Sequence, residues 1–165
     1  MSMNLGKYLA AFMLLLAISG SALADVADFA HRDLQGKMHT VADYQGKWIV
    51  VNYWATWCPP CLEEIPDLSD FHDRHEASDA VVLGVNMEEI STTDLRDFSE
   101  SLLISYPVLL SKPAFKTELG EVPGMPTSYL IAPDGQIVAT QVGILTSEAL
   151  ETFIANYTPD ESVVE

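Results

Sequence analysis

The chain of 165 residues carries 24 acidic and 8 basic side chains, for a formal net charge of −16. Such an acidic surface repels nucleic acid and anionic lipid, so we expect neither as a partner. Only two cysteines are present, which excludes a fold held together by a framework of disulfides, and the length fits one domain with its own core.

Residues 1–24 have the pattern of a secretory signal peptide. Lys7 and the N-terminal amine supply a thin positive region, residues 9–18 are an apolar run of ten, and residues 19–24 end in an Ala-x-Ala cleavage pattern. An apolar run of ten residues is too short to cross a bilayer as a helix. We therefore expect cleavage after Ala24 and a periplasmic protein; an uncleaved N-terminal membrane anchor is the alternative.

From residue 25 onward, predicted strands and helices alternate. A short β-hairpin is expected around residues 33–40. Apolar runs predict strands at residues 48–54, 80–85, 106–110, 127–132 and 136–142. Helical spacing and capping residues predict helices at residues 62–76, 91–103, 114–119 and 146–157. In the second of these helices, the residues expected to face the core are Leu95, Phe98, Leu102 and Leu103.

Strands that alternate with helices and end in a hairpin and a helix predict an α/β fold, with a central mixed β-sheet flanked by helices on both faces. The predicted domain spans residues 25–158, and residues 159–165 form an acidic tail that we expect to be mobile. The strand at residues 48–54 is nearly all apolar, as expected for a central strand. Active sites of open α/β sheets lie beyond the C-terminal ends of their strands, here just after Trp54.

Both cysteines of the chain lie in that place, in the motif Trp-Ala-Thr-Trp-Cys-Pro-Pro-Cys at residues 54–61. Cysteines at i and i+3 at the start of a helix face the same side, so their sulfurs can bond. The positive end of the helix favours a thiolate at Cys58, which is therefore the predicted attacking thiol. Cys61, one turn further in, is placed to resolve a mixed disulfide. Pro59 and Pro60 suit the opening of a helix, where a missing N–H costs little.

A structural disulfide and half of a zinc site are the alternative uses of this cysteine pair. Zinc takes four ligands, and the chain has neither a second cysteine pair nor a suitably spaced pair of histidines. A disulfide across two intervening residues closes too small a loop to stabilise the fold much. The motif therefore favours redox chemistry.

With these motifs the sequence resembles the thioredoxin superfamily, and within it the secreted TlpA/ResA/DsbE (CcmG) branch of thiol–disulfide oxidoreductases. The resemblance rests on residues 54–61, on Glu-Ile-Pro at residues 64–66, on Val-Pro-Gly-Met-Pro-Thr at residues 122–127, and on Ile-Ala-Pro-Asp-Gly at residues 131–135. It covers nearly all of the chain after the predicted signal peptide. It implies a thioredoxin-like fold with an N-terminal β-hairpin extension.

The resemblance also implies catalytic roles for two residues outside the cysteine pair. Pro126 is expected to be a cis-proline that faces the disulfide. Glu64 is expected to be a buried glutamate that tunes the pKa values of the cysteines and handles protons for Cys61. A solvated glutamate on the helix surface is the alternative for Glu64.

The expected substrate-binding surface surrounds the disulfide. By the resemblance, Trp57 covers the active-site surface, with core packing as the alternative, whereas Trp48 and Trp54 are expected in the core. The remaining residues expected on the substrate-binding surface are Pro59, Pro60, Met125 and Thr127.

By the same resemblance, the protein is an extracytoplasmic enzyme that reduces protein disulfides. Its expected substrates are apocytochrome c haem-site cysteines or the cysteines of copper-site proteins, and a membrane thiol reductase of the DsbD or CcdA kind is the expected electron donor. Beyond the redox-active cysteine pair, we expect neither a cofactor nor a bound metal.

Two further functions are compatible with the same residues. The cysteine pair can act as an oxidant that forms disulfides, because direction depends on the reduction potential. Alternatively, Cys58 and Cys61 can hold Cu(I) with Met125 nearby, as a copper chaperone would, because soft sulfur ligands suit that ion.

Overall fold

The computed structural model describes residues 29–158. The predicted signal peptide (1–24) and the predicted acidic tail (159–165) lie outside the described residues. Across the described part of the chain, the helices lack the combination of length and apolar character that crossing a membrane requires.

The order of strands and helices follows the predicted alternation. The strands of the described residues are β1 (Ala30–Arg32), β2 (Met38–Thr40), β3 (Trp48–Trp54), β4 (Ala80–Asn86), β5 (Val108–Leu110), β6 (Thr127–Ile131) and β7 (Ile137–Val142). The helices are α1 (Pro59–His75), α2 (Thr92–Ser101), α3 (Ser147–Asn156) and a 3-10 helix (Val41–Tyr44).

The main sheet has five strands in the order β5-β4-β3-β6-β7. β3 pairs in parallel with β4, and β4 pairs in parallel with β5. β6 lies antiparallel to both β3 and β7, so the sheet is mixed, as predicted. Every residue of the central strand β3 is buried, as its nearly all-apolar sequence predicts.

Alternate residues of β3 point to opposite faces of the sheet. Val51 and Tyr53 pack with Val41 of the 3-10 helix on one face. Val50 packs with Leu150 of α3 on the other face, in a cluster that α1 also joins. Helical segments therefore cover both faces of the sheet.

A third cluster connects the sheet to the redox motif. Trp54, at the end of β3, is fully buried against Cys61 and Ile65 of α1 and Leu95 of α2. Trp48, at the other end of β3, is also buried. The prediction that these two tryptophans belong to the core is confirmed, and the end of β3 is held firmly where the motif begins.

The N-terminal hairpin begins three residues earlier than predicted, with Ala30 opposite Thr40. It is attached to the edge of the main sheet through an isolated antiparallel bridge between Asp33 and Leu109. Inside the hairpin, the buried Oδ2 of Asp33 lies 2.9 Å from Nε2 of His39. The hairpin is therefore a separate two-stranded sheet that is joined to the β5 edge of the main sheet.

The predicted helix at residues 114–119 is wrong. The segment is irregular and ends in a tight turn, in which the N–H of Thr117 donates to the carbonyl of Gly120 at 2.8 Å and the N–H of Gly120 donates back at 3.2 Å. Gly120 has φ +143°, and a Cβ there would lie 2.4 Å from the hydroxyl of Tyr129. The close approach of Tyr129 selects glycine and a turn at this point.

The predicted inward orientation of Leu102 and Leu103 is also wrong. α2 ends at Ser101, Leu102 is its C-cap, and Leu103 has φ +54°, in the left-handed region. Both side chains are exposed. The chain leaves the helix before these leucines, so the helical spacing that placed them inward no longer applies, and Ile104 packs against the core instead.

Candidate active site

The cysteine pair lies where β3 turns into α1. Cys58 is the N-cap of α1 and forms a disulfide with Cys61, their Cα atoms 5.3 Å apart. Pro59 and Pro60 occupy the first two helical positions, so the helix begins three residues earlier than the predicted start at residue 62. The spacing of the cysteines therefore has the geometric consequence that the sequence predicts.

The prolines change how the helix acts on Cys58. Pro59 and Pro60 carry no N–H, and the N–H groups of Cys61 and Leu62 both donate to the carbonyl of Cys58, at 3.0 and 3.2 Å. Among the described residues, no N–H group donates to Sγ of Cys58. In the disulfide form, the helix therefore acts on Cys58 through its dipole and not through an N–H hydrogen bond to the sulfur.

The second predicted motif folds back onto this disulfide. The Met125–Pro126 peptide bond is cis, as predicted. Sγ of Cys58 lies 3.5 Å from the carbonyl oxygen of Met125, a contact that can become a hydrogen bond once Cys58 is a thiol. Pro126 is buried and Met125 is half-buried. The fold thus brings Cys58 and Met125 together although 67 positions separate them in the sequence.

Thr127 is the predicted surface residue that the structure corrects. Its side chain is fully buried, and its hydroxyl donates to the carbonyl of Gly124 at 2.6 Å. The side chain is therefore not available to a substrate and instead holds the turn that contains Met125 and Pro126. Pro59 is exposed and Pro60 is half-buried, so both remain accessible beside the disulfide.

Glu64 lies one turn beyond Cys61 and is only 1% exposed, which excludes the solvated alternative. One carboxylate oxygen accepts from Nδ2 of Asn52 at 2.6 Å, and the other accepts from the N–H of Leu145 at 2.8 Å. Burial raises the pKa of Glu64 to about 7, although both hydrogen bonds oppose this shift. A carboxyl group with this pKa can take up and release a proton near neutral pH.

Further buried polar groups lie on the same side of the disulfide as this carboxyl group. Nδ2 of Asn52 also donates to the hydroxyl of Ser128 at 3.0 Å. Tyr106 is buried, its hydroxyl has no partner among the described residues, and burial together with the Glu64 carboxylate raises its phenol pKa. Nε1 of Trp54 likewise has no partner in the described structure. The interior on this side of the disulfide therefore contains several buried polar groups.

The opposite side of the disulfide faces an open groove, the Trp57 groove, with a volume of about 470 Å³. Trp57 is 66% exposed, which excludes core packing and places its ring on the active-site surface. The residues that line the groove include Trp57, Glu88, Glu89, Pro113, Phe115 and Met125. The cysteines do not line this groove themselves; it adjoins them through Met125, whose carbonyl oxygen lies 3.5 Å from Sγ of Cys58. A larger cavity, of about 560 Å³, lies near the hairpin and includes no residue that forms a polar contact with Sγ of Cys58.

Several residues of the site were not predicted from the sequence, among them Asn52, Glu88 and Phe115. Asn52 carries a signal that could have identified it, because it is a lone amide within an apolar strand. Glu88 accepts from the N–H and the hydroxyl of Thr56, at 3.1 and 3.2 Å, and thereby holds the loop before Cys58. Neither Glu88 nor Phe115 carries a local signal, because both reach the site through tertiary contacts.

The described residues contain no group of three or more His, Cys, Asp or Glu side chains arranged to hold a metal ion.

A sequence profile of the AhpC/TSA family matches residues 23–140. The chain belongs to the AhpC/TSA family. The chain is 28% identical over 132 residues to thiol-disulfide oxidoreductase ResA of Geobacillus kaustophilus (strain HTA426). The match covers 80% of this chain and 75% of that protein. The chain is 27% identical over 139 residues to ResA of Bacillus subtilis (strain 168), covering 84% and 77% of the two chains.

Solved structures support the same assignment. A DsbF homologue from Corynebacterium diphtheriae matches with a TM-score of 0.70 and 26% identity, covering 80% of this chain and 85% of that chain. The exposed lipoprotein thioredoxin Etrx1 from Streptococcus pneumoniae strain TIGR4 matches with a TM-score of 0.68 and 30% identity, covering 79% and 100%. The AhpC/TSA family member described here has a thioredoxin-like fold and is a thiol–disulfide oxidoreductase of the ResA/DsbE type, with Cys58 and Cys61 as its redox pair.

Proposed function

We propose that the protein works outside the cytoplasm as a reductase of disulfides in other proteins. The environment of Cys58 is the observation that supports the reducing direction. A disulfide is strongly oxidising when its protein stabilises the reduced, thiolate form. Here the N–H groups of the first helical turn are absent or bonded to the Cys58 carbonyl. The charged residues that line the adjacent groove are Glu88 and Glu89, which disfavour a second negative charge.

In the proposed reaction, the Cys58 thiolate attacks one sulfur of a substrate disulfide. A Cys58–substrate disulfide forms, and the other substrate sulfur leaves as a thiolate. Cys61 then loses its proton and attacks Sγ of Cys58. The Cys58–Cys61 bond forms, the second substrate sulfur leaves as a thiolate, and two electrons have passed from the enzyme to the substrate.

We propose that Glu64 accepts the proton that Cys61 loses. Its pKa of about 7 leaves a useful fraction ionised at neutral pH, so the carboxylate can accept that proton as Cys61 attacks. The hydrogen bonds from Asn52 and Leu145 fix the orientation of the carboxylate. The released thiolates of the substrate are the final acceptors of the proton.

The substrate backbone has a place to bind beside Met125. Among the described residues, the N–H of Met125 donates to no backbone carbonyl, and its carbonyl oxygen lies beside Cys58. An extended substrate segment can therefore pair with this backbone as an added strand would. Pro126 holds Met125 in that position, so we assign both residues to substrate binding.

We further propose periplasmic export by the signal peptide, with electrons supplied by a membrane thiol reductase of the DsbD or CcdA kind. Haem-site cysteines of apocytochrome c and the cysteines of copper-site proteins are the proposed substrates. Similar structures from other organisms support action outside the cytoplasm, since they include Etrx1, which is described as exposed, and a thiol-disulfide isomerase from Corynebacterium glutamicum, which is described as secreted.

The reduction potential of the Cys58–Cys61 pair tests the proposed direction. We expect a value of about −270 mV or lower after equilibration with dithiothreitol, as for a dedicated reductant. A value of about −120 mV would instead identify an oxidant that forms disulfides and would overturn the proposed direction.

A further inference from the structure

One part of the wall of the Trp57 groove, at residues 113–115, lies outside the motifs at residues 54–61 and 122–127. The N–H of Val122 donates to the carbonyl of Phe115 at 2.8 Å, which ties the segment around Phe115 to the loop that carries Met125. The backbone of Phe115 is thus fixed at the groove that Trp57 and Met125 also line, while its side chain is 86% exposed. A large aromatic side chain left in water at such a place indicates a surface that a partner covers.

The groove is apolar on its walls and has the size of a binding pocket. Its volume of about 470 Å³ lies within the range of about 300–1,000 Å³ that is typical of ligand sites. Trp57 and Phe115 both line it, together with Pro113 and Met125. These walls can enclose one large apolar side chain of a bound segment, next to the sulfur that Cys58 attacks.

The charged residues that line the groove are both acidic. The two residues concerned, Glu88 and Glu89, differ in what they already bind. The carboxylate of Glu88 accepts from Thr56 and from Nδ2 of Asn86, the latter at 3.0 Å, so it serves the loop before Cys58. Glu89 is exposed, and its carboxylate has no hydrogen bond or ion pair within the described structure. Glu89 is therefore free to pair with a cation.

We propose that the Trp57 groove selects protein disulfides whose attacked cysteine is flanked by a large apolar residue and by a lysine or arginine. The apolar side chain packs against Trp57 and Phe115, and the basic side chain pairs with Glu89. This inference rests on the proposed reduction of protein disulfides and adds the class of sequence that is reduced fastest.

The test compares four synthetic peptides that each contain one internal disulfide. The flanking residues are Phe and Lys, Phe and Glu, Ser and Lys, or Ser and Ser. The reduced full-length protein reacts with each peptide in a single turnover, and its oxidation is followed by acid quenching, alkylation and mass spectrometry. Each second-order rate constant is divided by that for hydroxyethyl disulfide, which lacks flanking residues.

We expect the Phe/Lys peptide to react about tenfold faster than the Ser/Ser peptide, because binding moves the apolar Phe side chain out of water and into the groove. Exchanging Lys for Glu should slow the reaction about threefold, as an exposed ion pair allows. Phe115→Ala should remove most of the preference for Phe, and Glu89→Gln should remove the preference for Lys over Glu.

Two matched variants serve as controls. Asp97→Asn removes an exposed acid of α2, and Leu103→Ala removes an exposed apolar side chain; neither residue lines the groove. Both controls should keep the preferences of the wild type. Equal rates for all four peptides, or preferences that survive Phe115→Ala and Glu89→Gln, would overturn the proposed selection while leaving the reductase intact. A wild type that reduces neither the peptides nor hydroxyethyl disulfide would instead overturn the proposed function itself.

Discussion

The disulfide separates two regions of opposite character. On its inner side, Cys61 and Glu64 lie among fully buried residues, and the Glu64 carboxylate is held by two hydrogen bonds. On its outer side, Trp57 and Phe115 are exposed, and Glu89 lacks a partner in the described structure. The inner region contains polar groups inside a core, whereas the outer region contains apolar groups in water.

The inner region suits proton transfer, and the outer region suits the selection of a partner. Burial shifts the pKa of an acid strongly, so the inner region can control proton transfer to and from Cys61. Exposed apolar and charged side chains make few contacts within the protein itself, but they gain contacts when a partner covers them. If the two regions are independent, a substitution in one should leave the properties of the other unchanged.

The largest expected effect comes from the two sulfurs themselves. Cys58→Ser should abolish disulfide reduction, because serine cannot attack a disulfide to form a mixed disulfide. Cys61→Ser should leave the first attack intact and accumulate a covalent Cys58–substrate complex, visible by mass spectrometry under nonreducing conditions. If Cys58→Ser retained full activity, the assignment of Cys58 as the attacking thiol would be wrong.

The stability of the inner region should depend on pH through Glu64. Its pKa is raised from 4.5 to about 7, so the folded state holds its proton more tightly than the unfolded chain does. The resulting stabilisation is fully present below pH 4.5 and is lost as the pH rises through about 7. Over this window, the free energy of unfolding of the wild type should fall by about 3 kcal/mol more than that of Glu64→Gln.

Urea unfolding at a series of pH values measures this difference. Glu63→Gln is the matched control, because Glu63 is the exposed neighbour on the same helix and should leave the pH dependence of the wild type unchanged. An identical pH dependence in the wild type and in Glu64→Gln would contradict the raised pKa.

A pair of glycines compares the packing of the two regions directly. In the inner region, a Cβ on Gly84 would lie 2.6 Å from a ring carbon of Tyr106 and 3.1 Å from Nε1 of Trp54. In the outer region, a Cβ on Gly124 would meet nothing within 4 Å. Gly84→Ala should therefore lower the free energy of unfolding by about 2 kcal/mol, whereas Gly124→Ala should leave it nearly unchanged. Similar losses in both variants, measured by chemical denaturation, would remove the contrast.

The smallest expected effect concerns Glu88, which connects the two regions. Glu88→Gln should lower stability by about 1 kcal/mol, because one of the acceptors for Thr56 and Asn86 is lost. It should slow the reduction of all disulfides by a similar factor, since it loosens the loop before Cys58 and not the binding of one peptide. A loss confined to basic peptides would assign Glu88 to substrate selection together with Glu89.

Local pattern sufficed to predict some elements, and the reasons are specific. β3 is continuous and apolar because it is central, and Ser91 and Thr146 cap α2 and α3 as their side chains indicate. The pattern failed at residues 114–119, where helical spacing was present but Tyr129 packs against Gly120 and favours a turn. It failed again at Leu103, because the end of α2 is set by the turn that follows it.

For the site, local sequence was enough to predict the cysteine pair and its place at the start of α1, because spacing and the two prolines act over only a few residues. Tertiary structure alone decided that Glu64 is buried, since its partners Asn52 and Leu145 come from distant positions. It alone also decided that Phe115 and Glu89 face the same groove. Burial and charge environment depend on packing between elements, and no local pattern of residue types contains that information.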